Sequence, residues 1–296
     1  MVFIKKEGKI NDNTYLVDGM LFRWPGNLAL YVIESSNGMR MMIDASEELA
    51  AKKIVNKLKE LNIYPIQKIL LSHSHWDHVQ GVAKLKKLMG DIEVEVLASE
   101  KAISNLKNPD KLNKCFGYKV NSIEDVTPLK EGDTIDLNGL KLEVINLFGH
   151  TQDSIGIIDK KNKNIFTADA IIHRYDYETV TPTFFHPDFN ETELLKSFQK
   201  LRKIKNQLNS ICLTHYGMWT DKDFDKIINE MESHHYEAKK SIIQWYQENP
   251  SIDYIASKYH EKFMPNSKIH TKSNMQGLVL LINWLVGGLK YSGFIK

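Results

Sequence analysis

Cysteine is scarce in this chain. Cys115 and Cys212 are the only two in 296 residues, too few for a disulfide framework or a thiolate zinc cage. Cys212 lies in the apolar run Ile211-Cys212-Leu213, so both are expected to be reduced and Cys212 buried. Long apolar runs are missing as well. No stretch reaches the roughly 18 residues of a membrane helix, and Gly277-Leu278-Val279-Leu280-Leu281-Ile282 suits a core helix better than an anchor, so no membrane partner is expected. The opening Met1-Val-Phe-Ile-Lys-Lys lacks the features of a secretory signal, which makes the cytoplasm the expected compartment. Charge of one sign is lacking too: 39 Lys and Arg against 37 Asp and Glu leave a net charge of +2. No global field would draw the chain onto nucleic acid, which is not expected as a partner although a local patch is compatible.

What is present reads as an ordinary globular protein, 42% hydrophobic and long enough for a full core. Residues 28–44 form two β-rich runs joined at Asn37-Gly38, a strong hairpin signal that delivers Asp44 to a strand end. Ser46 is placed to cap a helix with Glu47 and Glu48 in its first turn and Leu49, Ile54, Leu58 and Leu61 on one buried face. A strand is expected over 68–72, a helix from Gly81 to Gly90, and a half-buried strand over 92–97. Further strands are expected over 140–147, 155–159, 164–168 and 210–214, with a helix over 191–205. Two groups of strands with helices between them suggest an α/β sandwich, with sheets packed together and helices outside. Beyond residue 220 the pattern is helical, with helices expected over 221–247, 252–259 and 273–289. There is no repeat or low-complexity linker.

The chemistry concentrates in Ser72-His73-Ser74-His75-Trp76-Asp77-His78, between a strand and a helix. Alternate residues of an extended segment point the same way, so His73 and His75 can face one metal while the turn at Asp77-His78 redirects two more ligands. Four groups from one loop cannot close two coordination spheres. The remaining candidates, His150, Asp169 and His215, each follow an expected strand.

With these residues in order, the chain resembles the metallo-β-lactamase superfamily over roughly residues 27–217, through Asp44, the HxHxDH run, His150, Asp169 and His215. The resemblance implies the four-layer αββα sandwich of that fold, with a catalytic domain over 1–220 and a C-terminal helical extension over 221–296 packed on it. It implies two zinc ions per chain, with iron or manganese as alternatives: His73, His75 and His150 on the first, Asp77, His78 and His215 on the second, and Asp169 bridging. Asp44 would orient the HxHxDH loop, since metal ligands need fixed outer partners. Asp77 would also carry a proton. True β-lactamases with an HxHxDH run lack the bridging aspartate, flavin-linked relatives have glutamate in place of the second histidine, and the large related nucleases insert a domain where only 169–215 stands here.

A small-molecule substrate is expected, bound by Trp76, His173 and Tyr177, with Trp24 a further candidate. His173 and Tyr177 belong to a loop with Arg174, Tyr175, Phe184, Phe185 and His186, whose aromatic groups suit pocket walls, although Phe184 and Phe185 are better suited to anchoring the loop on the core. The implied reaction is hydrolysis of a small ester, thioester or lactone. A phosphodiesterase or ribonuclease also fits, because paired metals suit attack at phosphorus and the tail resembles the appendage of lactamase-like endoribonucleases. Against RNA, residues 221–296 carry ten lysines and nine carboxylates, whereas a nucleic-acid footprint concentrates positive charge; walling the active-site cleft is the plainer role for this tail. A single-iron persulfide dioxygenase keeps nearly the same motifs. A binding protein on a decayed site is the last alternative. The sequence leaves the oligomeric state open, a homodimer being compatible with it.

Overall fold

In the computed structural model, which describes residues 3–185 and 187–296 and so leaves out Met1, Val2 and His186, the strand β4 (Ala29–Glu34) shows how the layers arise. Its alternate residues are apolar on both faces: Leu30 and Val32 enter one core, Ala29, Tyr31 and Ile33 another. A strand of this kind must be covered on two sides.

β4 lies in a seven-stranded sheet. In spatial order its members are β2 (Gly8–Lys9), β3 (Thr14–Asp18), β4, β5 (Arg40–Ile43), β6 (Lys68–Leu71), β7 (Glu95–Ser99) and β8 (Val126–Leu129). Pairing is antiparallel as far as β5 and parallel from there on. The second sheet, also seven-stranded, runs β1 (Phe3–Ile4), β16 (Met218–Thr220), β15 (Ser210–Leu213), β12 (Asn164–Ala168), β11 (Ile155–Asp159), β10 (Lys141–Asn146) and β9 (Thr134–Asp136). A two-stranded ribbon, β13 (His173–Arg174) with β14 (Val180–Thr181), stands beside it.

Leu16, Tyr31, Leu142, Ile157 and Phe166 fill the space between the sheets. Outside the first sheet lie α1 (Ala51–Glu60), the short α2 (Trp76–Val79), α3 (Val82–Leu88), α4 (Ile103–Lys107) and α5 (Asp110–Phe116), contributing residues such as Ile54, Leu85 and Leu106. Outside the second lie α6 (Glu191–Ile204), α7 (Asp221–Glu248), α8 (Ile252–Phe263) and α9 (Gln276–Tyr291). Phe198, Ile228, Ile255 and Leu285 from these four helices share one core with Ile165 and Ile211 of the sheet. Each fully buried leucine or isoleucine contributes roughly 1.5–3 kcal/mol of transfer free energy, so this C-terminal core matters to the whole chain. The result is the expected α/β sandwich of four layers. Among the described residues no helix is long and apolar enough to cross a membrane.

Several local expectations need correction. Ser46 does not cap α1: its hydroxyl donates to the Gly19 carbonyl, and the helix begins instead through a 3-10 turn, Glu48–Ala50. That turn rotates Leu49 outward, leaving it 71% exposed rather than on the buried face. The hairpin after β4 is a five-residue connection, 35–39, closed by Ser35 N–H on Met39 O, in which Gly38 alone takes positive φ, 78°, and donates its N–H to Ser35 O. β7 begins at Glu95 rather than Ile92, and it is buried through Val96, Leu97 and Ala98 because it pairs on both sides.

Candidate metal centre

The loops following β5, β6, β10, β12 and β15 meet at one edge of the sandwich. Ile155 N–H donates to Ser72 O, tying the second sheet to the HxHxDH loop of the first. Two backbone irregularities aim carboxylates into this junction. Asp44 takes φ 65° directly after β5. Ala168 takes φ 47°, where the β12–β15 register slips between Phe166 and Ala168, and such a bulge re-aims the chain that follows it, here Asp169. Positive φ at residues other than glycine is uncommon and concentrates at functional sites.

The convergence produces two adjoining groups of donor atoms. His73, His75 and His150 form one and Asp77, His78, Asp169 and His215 the other, with the atoms of each group lying within 4.8 Å of one another. His75 Nδ1 is 3.1 Å from His150 Nε2. His78 Nε2 is 3.5 Å from Asp77 Oδ2, and His215 Nε2 is 3.6 Å from it. Asp169 Oδ2 faces both groups, at 3.3 Å from His78 Nε2, 3.5 Å from His215 Nε2 and 3.8 Å from His150 Nε2.

On His73, His78, His150 and His215 the outer nitrogen, Nδ1, has a hydrogen-bond partner, which leaves Nε2 turned inward. His150 Nδ1–H donates to Thr183 O at 2.7 Å and His215 Nδ1–H to Asn27 O at 2.6 Å. Asp44 accepts from the Ser72 amide, the Ser72 hydroxyl and His78 Nδ1. It therefore stands where a residue that orients the loop should stand. Two glycines permit the close packing: a Cβ on Gly81 would lie 2.1 Å from Ala45 O, and one on Gly149 would lie 2.3 Å from Leu194 Cα.

These residues fit metal ions. His73 Nε2, His78 Nε2 and Asp169 Oδ1 are buried without a hydrogen-bond partner, a situation costing roughly 1–3 kcal/mol per group unless something satisfies it. Donors held about 2.05 Å from a tetrahedral zinc lie about 3.4 Å apart, close to the separations found. Burial, reinforced by neighbouring imidazoles, holds His73 and His75 well below the usual histidine range, and burial lowers His150 as well. Their lone pairs are therefore free at neutral pH. Burial opposes the charge on Asp77, yet His78 and His215 hold it ionised with a pKa of about 2. Asp169 is likewise held well below the carboxylate range, His215, His173 and His78 outweighing its burial.

A cavity of about 400 Å³ opens onto the donor groups, with His75, Asp77, Asp169, His173 and His215 on its floor. Trp76 and Trp24 line it as the sequence suggested, Trp76 stacked on Tyr118 at 3.8 Å. His173 lines it too, with Nε2 3.2 Å from Asp169 Oδ2 and neither ring nitrogen hydrogen-bonded. Tyr177 does not. Its ring packs edge-on to Trp219, its hydroxyl donates to Asp223 and half of it is exposed, because the turn between β13 and β14 carries it outward while Tyr175 lines the cavity. Phe184 is a core residue, Phe185 lines the cavity, and His186 lies outside the described residues. Sequence reasoning missed Phe22, Phe116 and Trp284 as lining residues, while Tyr175, which lines the cavity, was named only as a member of the aromatic loop. Only the suggestion that the tail walls the cleft pointed toward Trp284.

The geometry agrees with the comparisons to known proteins. The model of the metallo-beta-lactamase superfamily matches residues 24–215. Hydroxyacylglutathione hydrolase GloC of Haemophilus influenzae is 30% identical over 145 residues, which cover 44% of this chain and 65% of that protein. Hydroxyacylglutathione hydrolase of Ruegeria pomeroyi is 27% identical over 146 residues, covering 49% and 48%. The chain thus spans from about half to just under two thirds of the length of these curated relatives. In fold it is similar to an archaeal metallo-beta-lactamase superfamily protein from Sulfolobus tokodaii, with a TM-score of 0.64 at 17% identity over 95% of this chain and 100% of that one. So wide a match leaves too little uncovered to omit the C-terminal helices.

Proposed function

The chain belongs to the metallo-beta-lactamase superfamily, and from that premise we propose that it is a two-metal hydrolase cleaving a small ester, thioester or lactone. The observation that carries this reading is the position of Asp169, whose Oδ2 serves both donor groups at 3.3–3.8 Å. His73, His75 and His150 would hold one ion, Asp77, His78 and His215 the other, and Asp169 would bridge them. When bound, two divalent cations would supply a water of lowered pKa and electrophilic assistance at the scissile carbonyl, and zinc, iron or manganese suits these nitrogen and oxygen donors.

The chain's own residues complete the reaction. Hydrolysis joins the water oxygen to the acyl carbon, breaks the acyl C–O or C–S bond, and moves a proton from the water to the leaving group. Asp77 is ionised and 16% exposed toward the cavity, so it is the carboxylate placed to carry that proton. His173 and Tyr175 face the same space. Burial keeps the Tyr175 phenol protonated above its ordinary range, and it can donate a hydrogen bond to the substrate carbonyl. Backbone carbonyls of Thr183 and Asn27 hold His150 and His215 in register throughout.

The names of the hydroxyacylglutathione hydrolases favour a thioester within this class. A ribonuclease would need lysines or arginines at the cleft rim, and none occurs among the described lining residues. The test is metal analysis of freshly purified protein, followed by turnover of a lactone, a thioester and a phosphodiester. Acyl hydrolysis with two ions bound is expected. Phosphodiester cleavage alone, or thiol oxidation with a single iron, would replace the proposal.

A further inference from the structure

The cavity walls carry information about the substrate that the donor groups do not. Aromatic rings form an arc above the first donor group. The Phe116 ring meets His75 edge-on at 4.8 Å and Trp284 at 6.3 Å; Trp284 meets Phe185 at 6.2 Å; and Phe185 closes on His150 at 5.4 Å. A second aromatic pair, Phe22 against Trp76 at 5.5 Å, also lines the cavity. Leu280 and Leu281 of α9 complete the lining. Apart from the residues of the metal centre, its polar lining groups are neutral or histidine: Asn27, Tyr175, His270 and Gln276 beside His173. His270 is held near pKa 4 by burial and so is uncharged at neutral pH.

From this lining we infer that the pocket selects a neutral substrate with an extended apolar acyl or aryl group, and rejects carriers bearing free carboxylates such as glutathione. The inference rests on the hydrolase reading for the reaction but on the cavity walls for the substrate. An anionic carrier would leave its carboxylates in an apolar, aromatic space with no lysine or arginine among the described lining residues to pair with them, and burying unpaired charge is strongly unfavourable. An alkyl or aryl chain meets aromatic faces and leucines instead. Each methylene buried should raise affinity about fourfold, by the transfer free energy of a CH₂ group. A cavity of about 400 Å³ falls near the lower end of small-molecule sites, so the gain must level off after a medium chain.

Two measurements on the full-length, metal-loaded protein separate the substrate class from the reaction. The first is kcat/KM for p-nitrophenyl acetate, butyrate, hexanoate, octanoate and decanoate, with S-lactoylglutathione as the anionic comparison. The inference expects a rise of about fourfold per methylene, then a plateau, and a glutathione thioester at least about 100-fold below the best ester. The second is binding of neutral methyl ketones of the same lengths, read by fluorescence quenching of Trp76 and Trp284. Affinity for these unreactive probes should show the same chain-length rise whether or not any ester turns over. Ketone binding that climbs with length while no ester is cleaved would sink the hydrolase reading and leave the apolar class standing. Esters cleaved with no dependence on length, or a preference for the glutathione thioester, would overturn the substrate class and leave the hydrolase. Leu280→Arg places a cation at a lining position that is 37% exposed; it should flatten the ester series and raise activity on the anionic thioester, and an unchanged profile would count against the inference.

Discussion

Asp44 Oδ2 lies 2.8 Å from His78 Nδ1, with both side chains almost wholly buried and the same carboxylate accepting both hydrogen-bond donors of Ser72. The pair fixes which nitrogen of His78 faces the donor group. Without an ion, the carboxylates of Asp169, Asp77 and Asp44 outweigh burial and raise the His78 imidazole well above its usual range; with a metal bound, the ring would be neutral and would present Nε2 as its lone pair.

An amide in place of that carboxylate turns an N–H toward a ring N–H or forces the ring to change tautomer. Asp44→Asn should therefore weaken metal binding at the His78 group by roughly 10–100-fold while His73, His75 and His150 keep their ion. Competition against a chromophoric chelator would show one site weakened and one unchanged. Equal affinity at both sites would remove Asp44 from its orienting role.

Chemistry and recognition separate at Asp77 and His173. Asp77→Asn should retain the ion at His73, His75 and His150 yet lose most activity, because an amide is a poor ligand and accepts no proton. His173→Ala should keep its metal content and raise KM if His173 contacts substrate through the cavity it lines. Full activity in the first variant with both ions bound, or unchanged kinetics in the second, would strip that residue of its proposed part.

Gly288 offers a test of how α9 shapes the pocket. Replacing a helix-interior glycine by alanine ordinarily stabilises by about 0.5–1 kcal/mol. Here the new Cβ would stand 2.0 Å from Phe184 O, and a forced overlap with backbone costs roughly 1–3 kcal/mol, so the clash wins. Gly288→Ala should lower Tm by a few degrees and, by shifting Trp284 one turn away, raise KM more than it lowers kcat. A higher Tm would show that α9 does not press on the loop as described.

Glu191 ties α6 to α7 through His235 and Lys239. The His235 hydrogen bond, followed by Lys239 and opposed by burial, holds its pKa at about 2 against an ordinary 4.5. Since the folded value is depressed, the resulting stability is present above about 4.5 and lost as pH falls toward 2. The difference in denaturant midpoint between the parent and Glu191→Gln, both metal-free, should shrink across that window. A constant difference would mean that the carboxylate charge contributes nothing.

The sequence disclosed the metal centre more fully than its surroundings, and for physical reasons. Ligands must be histidine or aspartate, so His73, His75, Asp77, His78, His150, Asp169 and His215 are conspicuous as letters. Thr183 and Asn27 act through backbone carbonyls, which any residue could supply, and nothing in their identity marks them. Tyr175 and Tyr177 both lie between β13 and β14, where Tyr175 N–H bonds Thr179 O, so the course of that turn, which no residue letter announces, decides which one faces the cavity. Ser46 and Leu49 were misread because the cap pattern is local while a 3-10 turn and a bond to Gly19 are set by tertiary packing. Phe116 and Trp284 lie far apart in sequence, and their meeting above His75 is a product of the fold.

The most direct test of the central claim is the metal content per chain of the parent protein and of Asp169→Ala, measured by elemental analysis. If Asp169 serves both donor groups, the parent should carry two ions and the variant should lose occupancy at both, with turnover abolished. A single tightly held iron in the parent that no added zinc supplements, or the loss of only one ion in Asp169→Ala, would contradict it.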